Sequence, residues 1–264
     1  MSTDLLLTLI TLTLTIVLLA ISLFTLRKVR RIDQRTWSLD QRIERSDENT
    51  FRQLEALIAI YWDLRPSRAL PATRGWAGSP DFLYEVANHA RRTSPESVVE
   101  CSSGVSTLIL ARTLQLIGKG HVFSLEHDEL YADRTRSALK EHGLEDWATV
   151  IHTPLKSVVT AIGEQPWYDI SDLPTTKIDL LVVDGPPSNL SRFARFPALP
   201  VLHTRLSLSC TIFLDDADRP EEKEIIKQWV ETYRDFSVEH RHCEKGLTIM
   251  RRSASPASPP TSTS

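Results

Sequence analysis

Glu100, Glu126, Asp184 and the pair Asp215-Asp216 each stand directly after a short apolar run: "SVVE", "HVFSLE", "IDLLVVD" and "LSCTIFLDD". Carboxylates so placed can accept hydrogen bonds from hydroxyl groups, take up a proton or hold a hard cation. Gathered at one edge they repel one another unless a cationic ligand or a metal offsets them. Glu100 is followed by the small residues Cys101, Ser102, Ser103, Gly104 and Ser106, which let backbone N–H groups come close to a ligand. A helix starting near Val105 would point its positive end at the same place. Glu126 ends the second run, where an acidic side chain can accept both hydroxyls of a ribose, and Asp128 has the spacing of a helix cap. Gly104 is the only glycine between Val98 and Thr107, so the glycine pattern of a pyrophosphate loop is absent. The Tyr-x-x-x-Lys pair of short-chain oxidoreductases is absent too: Tyr131 and Tyr168 are followed at that spacing by Thr135 and Asp172.

These carboxylates share an edge only if the apolar runs are parallel strands joined by helices. The chain reads that way. Ser97–Glu100 precedes a helical pattern over Thr107–Ile117, and His121–Leu125 precedes one over Asp128–His142. Ala148–His152 and Ile178–Val183 are further strands, and Leu208–Leu214 leads into a helix over Pro220–Phe236. Such alternation predicts an α/β fold with a mostly parallel sheet and right-handed crossovers. The last two runs, Ser237–Cys243 and Gly246–Arg251, are separated only by Glu244 and Lys245, which requires an antiparallel hairpin. In such sheets the ligand lies beyond the carboxyl ends of the strands, where strand order reverses.

The order Glu100-Cys-Ser-Ser-Gly104-Val-Ser106-Thr, Ser124-Leu-Glu126-His127-Asp128, Val183-Asp184-Gly-Pro-Pro and Leu214-Asp215-Asp216-Ala-Asp218-Arg219 resembles the class I S-adenosylmethionine (SAM)-dependent methyltransferases. It is most similar to a bacterial O-methyltransferase-like group distantly related to catechol O-methyltransferase. The resemblance covers about Arg74 to Arg252 and includes "RGWAGSPDFLYEV" ahead of the first strand. It implies a Rossmann-like seven-stranded sheet ending in the antiparallel hairpin. SAM would lie with its amino-acid end against Glu100, Ser102, Ser103, Gly104 and Ser106 and its ribose on Glu126. His127 would line the adenine or, on the other reading, face solvent at a helix start. The resemblance also implies a divalent cation, Mg²⁺ or another, on Asp184, Asp215 and Asp216, whose oxygen ligands suit hard ions. Asp184 and Asp216 are the candidates for a catalytic base, with Arg219 as a substrate anchor. The chain departs from the catechol group twice: Pro187 stands where those enzymes carry a lysine, and Ser102 where most relatives carry glycine. Trp76, Trp167, Tyr168, Arg192 and Arg195 lie in the segments from which this fold builds acceptor pockets, although Trp76 is expected foremost as packing where the domain begins. His152 and His203 read as structural.

The remaining sequence sets the setting. The chain has 264 residues and a net charge of −3, which gives no electrostatic reason to expect nucleic acid as a partner. Cys101, Cys210 and Cys243 are too few and too scattered for a disulfide framework. Leu5–Leu26 is uncharged and long enough to cross the roughly 30 Å hydrocarbon core of a bilayer. Arg27, Lys28, Arg30 and Arg31 follow it at once, so the positive-inside bias predicts a single-pass anchor with the remainder in the cytoplasm. The expected domains are a transmembrane anchor (1–26), a helical stalk (27–73), a catalytic domain (74–252) and a disordered Ser- and Pro-rich tail (253–264). The stalk's apolar spacing leaves open a solvated spacer or a homodimer contact. The acceptor expected for a tethered enzyme is a small molecule or a glycan- or lipid-linked intermediate. The alternative is a catalytically silent interaction module held at the membrane.

Overall fold

The computed structural model describes residues 3–252, so the expected tail lies outside the described residues. The chain divides into two units, up to Phe51 and from Arg52 onward. The expected anchor, and the expected stalk as far as Leu64, form one helix, α1 (Thr3–Leu64), because no glycine or proline interrupts the sequence before Pro66. Its apolar part has a mean hydropathy of 2.6 and is long enough to cross a membrane. Thr11, Thr13 and Thr15 sit in that stretch without a stranded hydroxyl, since each donates to carbonyls one turn back.

The second unit holds the predicted sheet. Its strands are β1 (Ser97–Cys101), β2 (His121–Glu126), β3 (Ala148–His152), β6 (Ile178–Val183), β7 (Leu206–Asp215), β8 (Phe236–Arg241) and β9 (Leu247–Arg252). They lie in the order β3-β2-β1-β6-β7-β9-β8. All pairs are parallel except β7–β9 and β9–β8, so the C-terminal hairpin closes one edge. The strand order reverses at the β1–β6 boundary. Every residue of β1 is buried, as expected for a central parallel strand covered on both faces. Helices α2 (Pro80–Thr93), α3 (Val105–Ile117) and α4 (Glu129–His142) bury Phe82, Leu110 and Ala132 on one face. The short α5 (Ala198–Leu202) and α6 (Pro220–Thr232) bury Leu199 and Trp229 on the other. The end of α1 contributes Ala56, Ile60 and Leu64, a one-turn spacing that puts all three on one buried face.

Two features depart from the sequence-based expectation. A separate two-stranded antiparallel sheet, β4 (Leu155–Thr160) and β5 (Gly163–Tyr168), follows β3. Pro166 lacks the N–H a strand uses, and it hid β5. The C-terminal hairpin also turns over His242–Gly246 rather than over two residues, because Cys243 is drawn into the core.

Candidate active site

The parallel ladder extends one residue past the strands and fixes the turns that follow. The Ser102 amide donates to the Leu125 carbonyl at 2.9 Å, and the Asp184 amide to the Cys101 carbonyl at 3.2 Å. Beyond these ends opens a cavity of about 320 Å³, lined by the segments that follow β1, β2, β6 and β7, by the β8–β9 turn and by Gly75 and Trp76. A larger depression, about 640 Å³, lies between α6 and β8 and holds none of the five strand-end carboxylates.

At one side of the cavity Ser103 and Glu126 form the tightest contact. The Ser103 amide and hydroxyl both donate to Glu126 Oε2 at 3.0 Å, and the Asp128 amide donates to Oε1 at 3.1 Å. His127 Nδ1 lies 3.0 Å from the same Oε1. Burial pushes the Glu126 carboxyl up, but the His127 ring beside it and hydrogen bonds from Asp128 and Ser103 outweigh it and hold the group below its usual range. The Glu126 contact raises the His127 pKa against burial. The Ser103 hydroxyl has a second partner in Thr135 Oγ1 at 3.1 Å, so it can leave Glu126 to an incoming hydroxyl.

The small residues of the turn have distinct tasks. Gly104 adopts φ +154° and ψ −137°, which only glycine enters readily, and it starts α3. Ser102 adopts φ +110° although it carries a Cβ. It is pressed against Gly185, where a side chain would approach the Ser102 Cβ to 2.9 Å and the Tyr168 hydroxyl to 2.5 Å. Glu100 lies beneath the turn, wholly buried, and accepts from Thr107 Oγ1 at 2.6 Å and Ser124 Oγ at 2.7 Å. Burial raises its carboxyl pKa against these bonds and one from Ser106. Of the expected cofactor residues, Ser102, Ser103, Glu126 and His127 line the cavity, whereas Glu100, Gly104 and Ser106 shape the turn behind it.

At the other side stand Asp184 and Asp216, with Asp215 wholly buried behind them. One ligand atom from each of the three lies within 4.8 Å of the others, the grouping expected of a metal site. A guanidinium is already there. Arg195 Nη2 lies 2.7 Å from Asp216 Oδ2 and 3.2 Å from Asp184 Oδ1, and Arg219 Nη1 lies 2.9 Å from Asp216 Oδ2. The Asp184 carboxyl is pushed up to about 6, by burial first, with Arg195 opposing and Asp216 adding. Burial, then repulsion from Asp184 and Asp216, raises Asp215 well above the usual range, which favours its neutral form.

Other residues take places the sequence did not show. Lys245 reaches the cavity from the β8–β9 turn, which is joined to the loop after β7 by bonds from the Ala217 and Asp218 amides to the Gly246 and Lys245 carbonyls. No local motif marks it, because turn and cavity meet only through the fold. Trp76, expected foremost as packing, is 71% exposed at the cavity rim. Trp167 and Tyr168, considered for the acceptor pocket, are buried in the core and stack edge to face at 5.0 Å. His203 stacks on Tyr233 at 4.6 Å, away from the cavity.

Residues 99–217 match a family model described as a methyltransferase domain. The Rossmann-like fold of this chain is shared with solved methyltransferases at low sequence identity. PaMTH1 of Podospora anserina, solved with S-adenosylhomocysteine (SAH), is 17% identical with a TM-score of 0.57, over 80% of this chain and 96% of that one. The Bacillus cereus O-methyltransferase, in complex with SAH, is 16% identical with a TM-score of 0.52, over 75% and 91%. TomG of Streptomyces achromogenes, an O-methyltransferase of tomaymycin synthesis solved with SAM, is 16% identical with a TM-score of 0.50, over 76% and 89%. No curated protein sequence matches the chain significantly. The strand-end cavity lies within and around the matched segment and is the candidate active site.

Proposed function

We propose that the protein is a SAM-dependent methyltransferase, tethered to a membrane by α1, that methylates oxygen on a small molecule or on a glycan- or lipid-linked acceptor. The observation that carries the proposal is the Ser103–Glu126 arrangement at the ends of β1 and β2, beside the switch point of a sheet that lies largely in the segment matching a methyltransferase-domain model. The neighbours solved with SAH or SAM support the choice of cofactor. The residues present fit it: an ionised carboxylate for a ribose, a small-residue turn for the amino-acid end and an open volume between them.

Held by the Ser102–Gly104 turn and Glu126, SAM would supply an electrophilic methyl group for an acceptor oxygen. The chain's task is to hold acceptor and donor in line and exclude water, the main demand of such a transfer. Asp184, Asp216 and Arg219 line the cavity; on this reading the aspartates take the acceptor's proton and Arg219 anchors the acceptor. The basic residues from Arg27 to Arg31 support a cytoplasmic position for this unit, and the tether raises its concentration near membrane-borne acceptors.

The test is transfer of tritiated methyl from SAM by the full-length protein to soluble and membrane extracts of cells lacking it. Label in a small-molecule or lipid fraction, reduced by Asp184→Asn, is the expected result. Failure to label any fraction would leave the silent, tethered module as the better reading.

A further inference from the structure

We infer that the Arg195 guanidinium takes the place of the divalent cation that the likeness to catechol O-methyltransferase implies, so that the acidic end of the cavity operates without a metal. The inference rests on the methyltransferase reading for the role of the cavity, but its physical basis is separate.

A hard cation requires several oxygens converging on one point at about 2.0–2.6 Å. Here one oxygen of each of the two cavity-facing aspartates, Asp184 Oδ1 and Asp216 Oδ2, already meets Arg195 Nη2. The arginine is no surface side chain that swings in and out, since it is 3% exposed. Its Nη1 donates to the Asp215 carbonyl and its Nη2 to the Asp184 carbonyl, each at 2.8 Å. The ends of β6 and β7 thus fasten the guanidinium with their backbone as well as their side chains. Its planar fork suits such a site, whereas the single ammonium of lysine would not. Arg219 brings a second positive charge to Asp216. A divalent ion would have to displace Arg195 or accept two guanidinium groups as close neighbours.

The catechol pattern couples its metal to a lysine, and this chain has Pro187 at the lysine's place. Both cationic parts of that arrangement are therefore replaced together. The acceptor is then held by the cavity walls rather than chelated, and it needs no pair of adjacent hydroxyls to bind.

The experiment is titration of Mn²⁺ into the full-length protein in detergent, with free ion followed by electron paramagnetic resonance and SAH binding followed by calorimetry. Wild type is expected to leave Mn²⁺ free up to about 1 mM, with SAH affinity changing less than about twofold on adding EDTA. Arg195→Ala, still binding SAH, is expected to gain one Mn²⁺ site at least about tenfold tighter than any in wild type. One Mn²⁺ per wild-type chain, lost in Asp216→Asn, would overturn the inference. So would an Arg195→Ala protein that binds SAH yet gains no site. If Arg195→Ala does not fold, the wild-type and Asp216→Asn titrations decide alone. Loss of SAH binding in wild type would count against the methyltransferase reading and leave the Mn²⁺ result standing.

Discussion

The Arg195 guanidinium reaches Asp216 Oδ2 at 2.7 Å from a position 3% exposed, joining the loop after β6 to the end of β7. A buried charge in such a place holds the fold only while its partners remain. Removing one member of a buried, hydrogen-bonded ion pair costs about 3–5 kcal/mol, because the other charge is left unpaired in a poor dielectric. Arg195→Met keeps the aliphatic volume and removes the charge, so denaturant unfolding should show a loss of about that size. Pairing it with Asp216→Asn should recover part of the loss. Strict additivity of the two substitutions would contradict the coupling.

Ser102 carries a different burden, a Cβ at φ +110°. Side chains in such regions store about 1–3 kcal/mol, held in place here by the ladder bond from the Ser102 amide to Leu125 and the close approach of Gly185. Ser102→Gly should stabilise the protein by about 1 kcal/mol in thermal unfolding, after the entropy that glycine adds to the unfolded chain. Ser102→Ala, which keeps the Cβ, should gain nothing. A destabilised glycine variant would show that the serine side chain holds the turn rather than straining it.

The His127–Glu126 contact makes stability depend on pH in a defined direction. The folded-state pKa of His127 is raised above 6.5, so its contribution is complete below 6.5 and is lost as pH rises through the raised value. That of Glu126 is lowered below 4.5, so its contribution is present above 4.5 and is lost as pH falls through the lowered value. The pair is therefore strongest between those limits. His127→Gln should cost most stability near pH 5.5 and least near about pH 8.5, as read by thermal midpoints across that range. An equal cost at both ends would mean that the ring acts only by packing.

The sheet was legible because its parallel strands are short apolar runs, four of which lead into a carboxylate (Glu100, Glu126, Asp184 and Asp215), and that pattern has few structural readings. Ser102 was visible as a missing glycine, and its positive φ gives that departure a physical meaning. Gathering Asp184, Asp215 and Asp216 was legible for the same reason, since each follows a parallel strand. Their cation was not. Arg195 lies in an irregular segment with no period to place it, and its importance comes from contacts to residues 11 and 21 positions away. Lys245 escaped likewise, since a hairpin turn reveals nothing about the loop it folds against. The β4–β5 hairpin was masked locally by Pro166.

Whether the Ser103–Glu126 side of the cavity takes the cofactor decides the protein's function, and SAH calorimetry on the full-length protein in detergent measures this directly. The expectation is one site per chain. Glu126→Ala should weaken it by about 100-fold, as two hydrogen bonds to a charged group are lost, while Ser103→Ala stays within about threefold because its hydroxyl must leave Glu126 in any case. No heat with wild type, or Glu126→Ala binding SAH as well as wild type, would contradict the account.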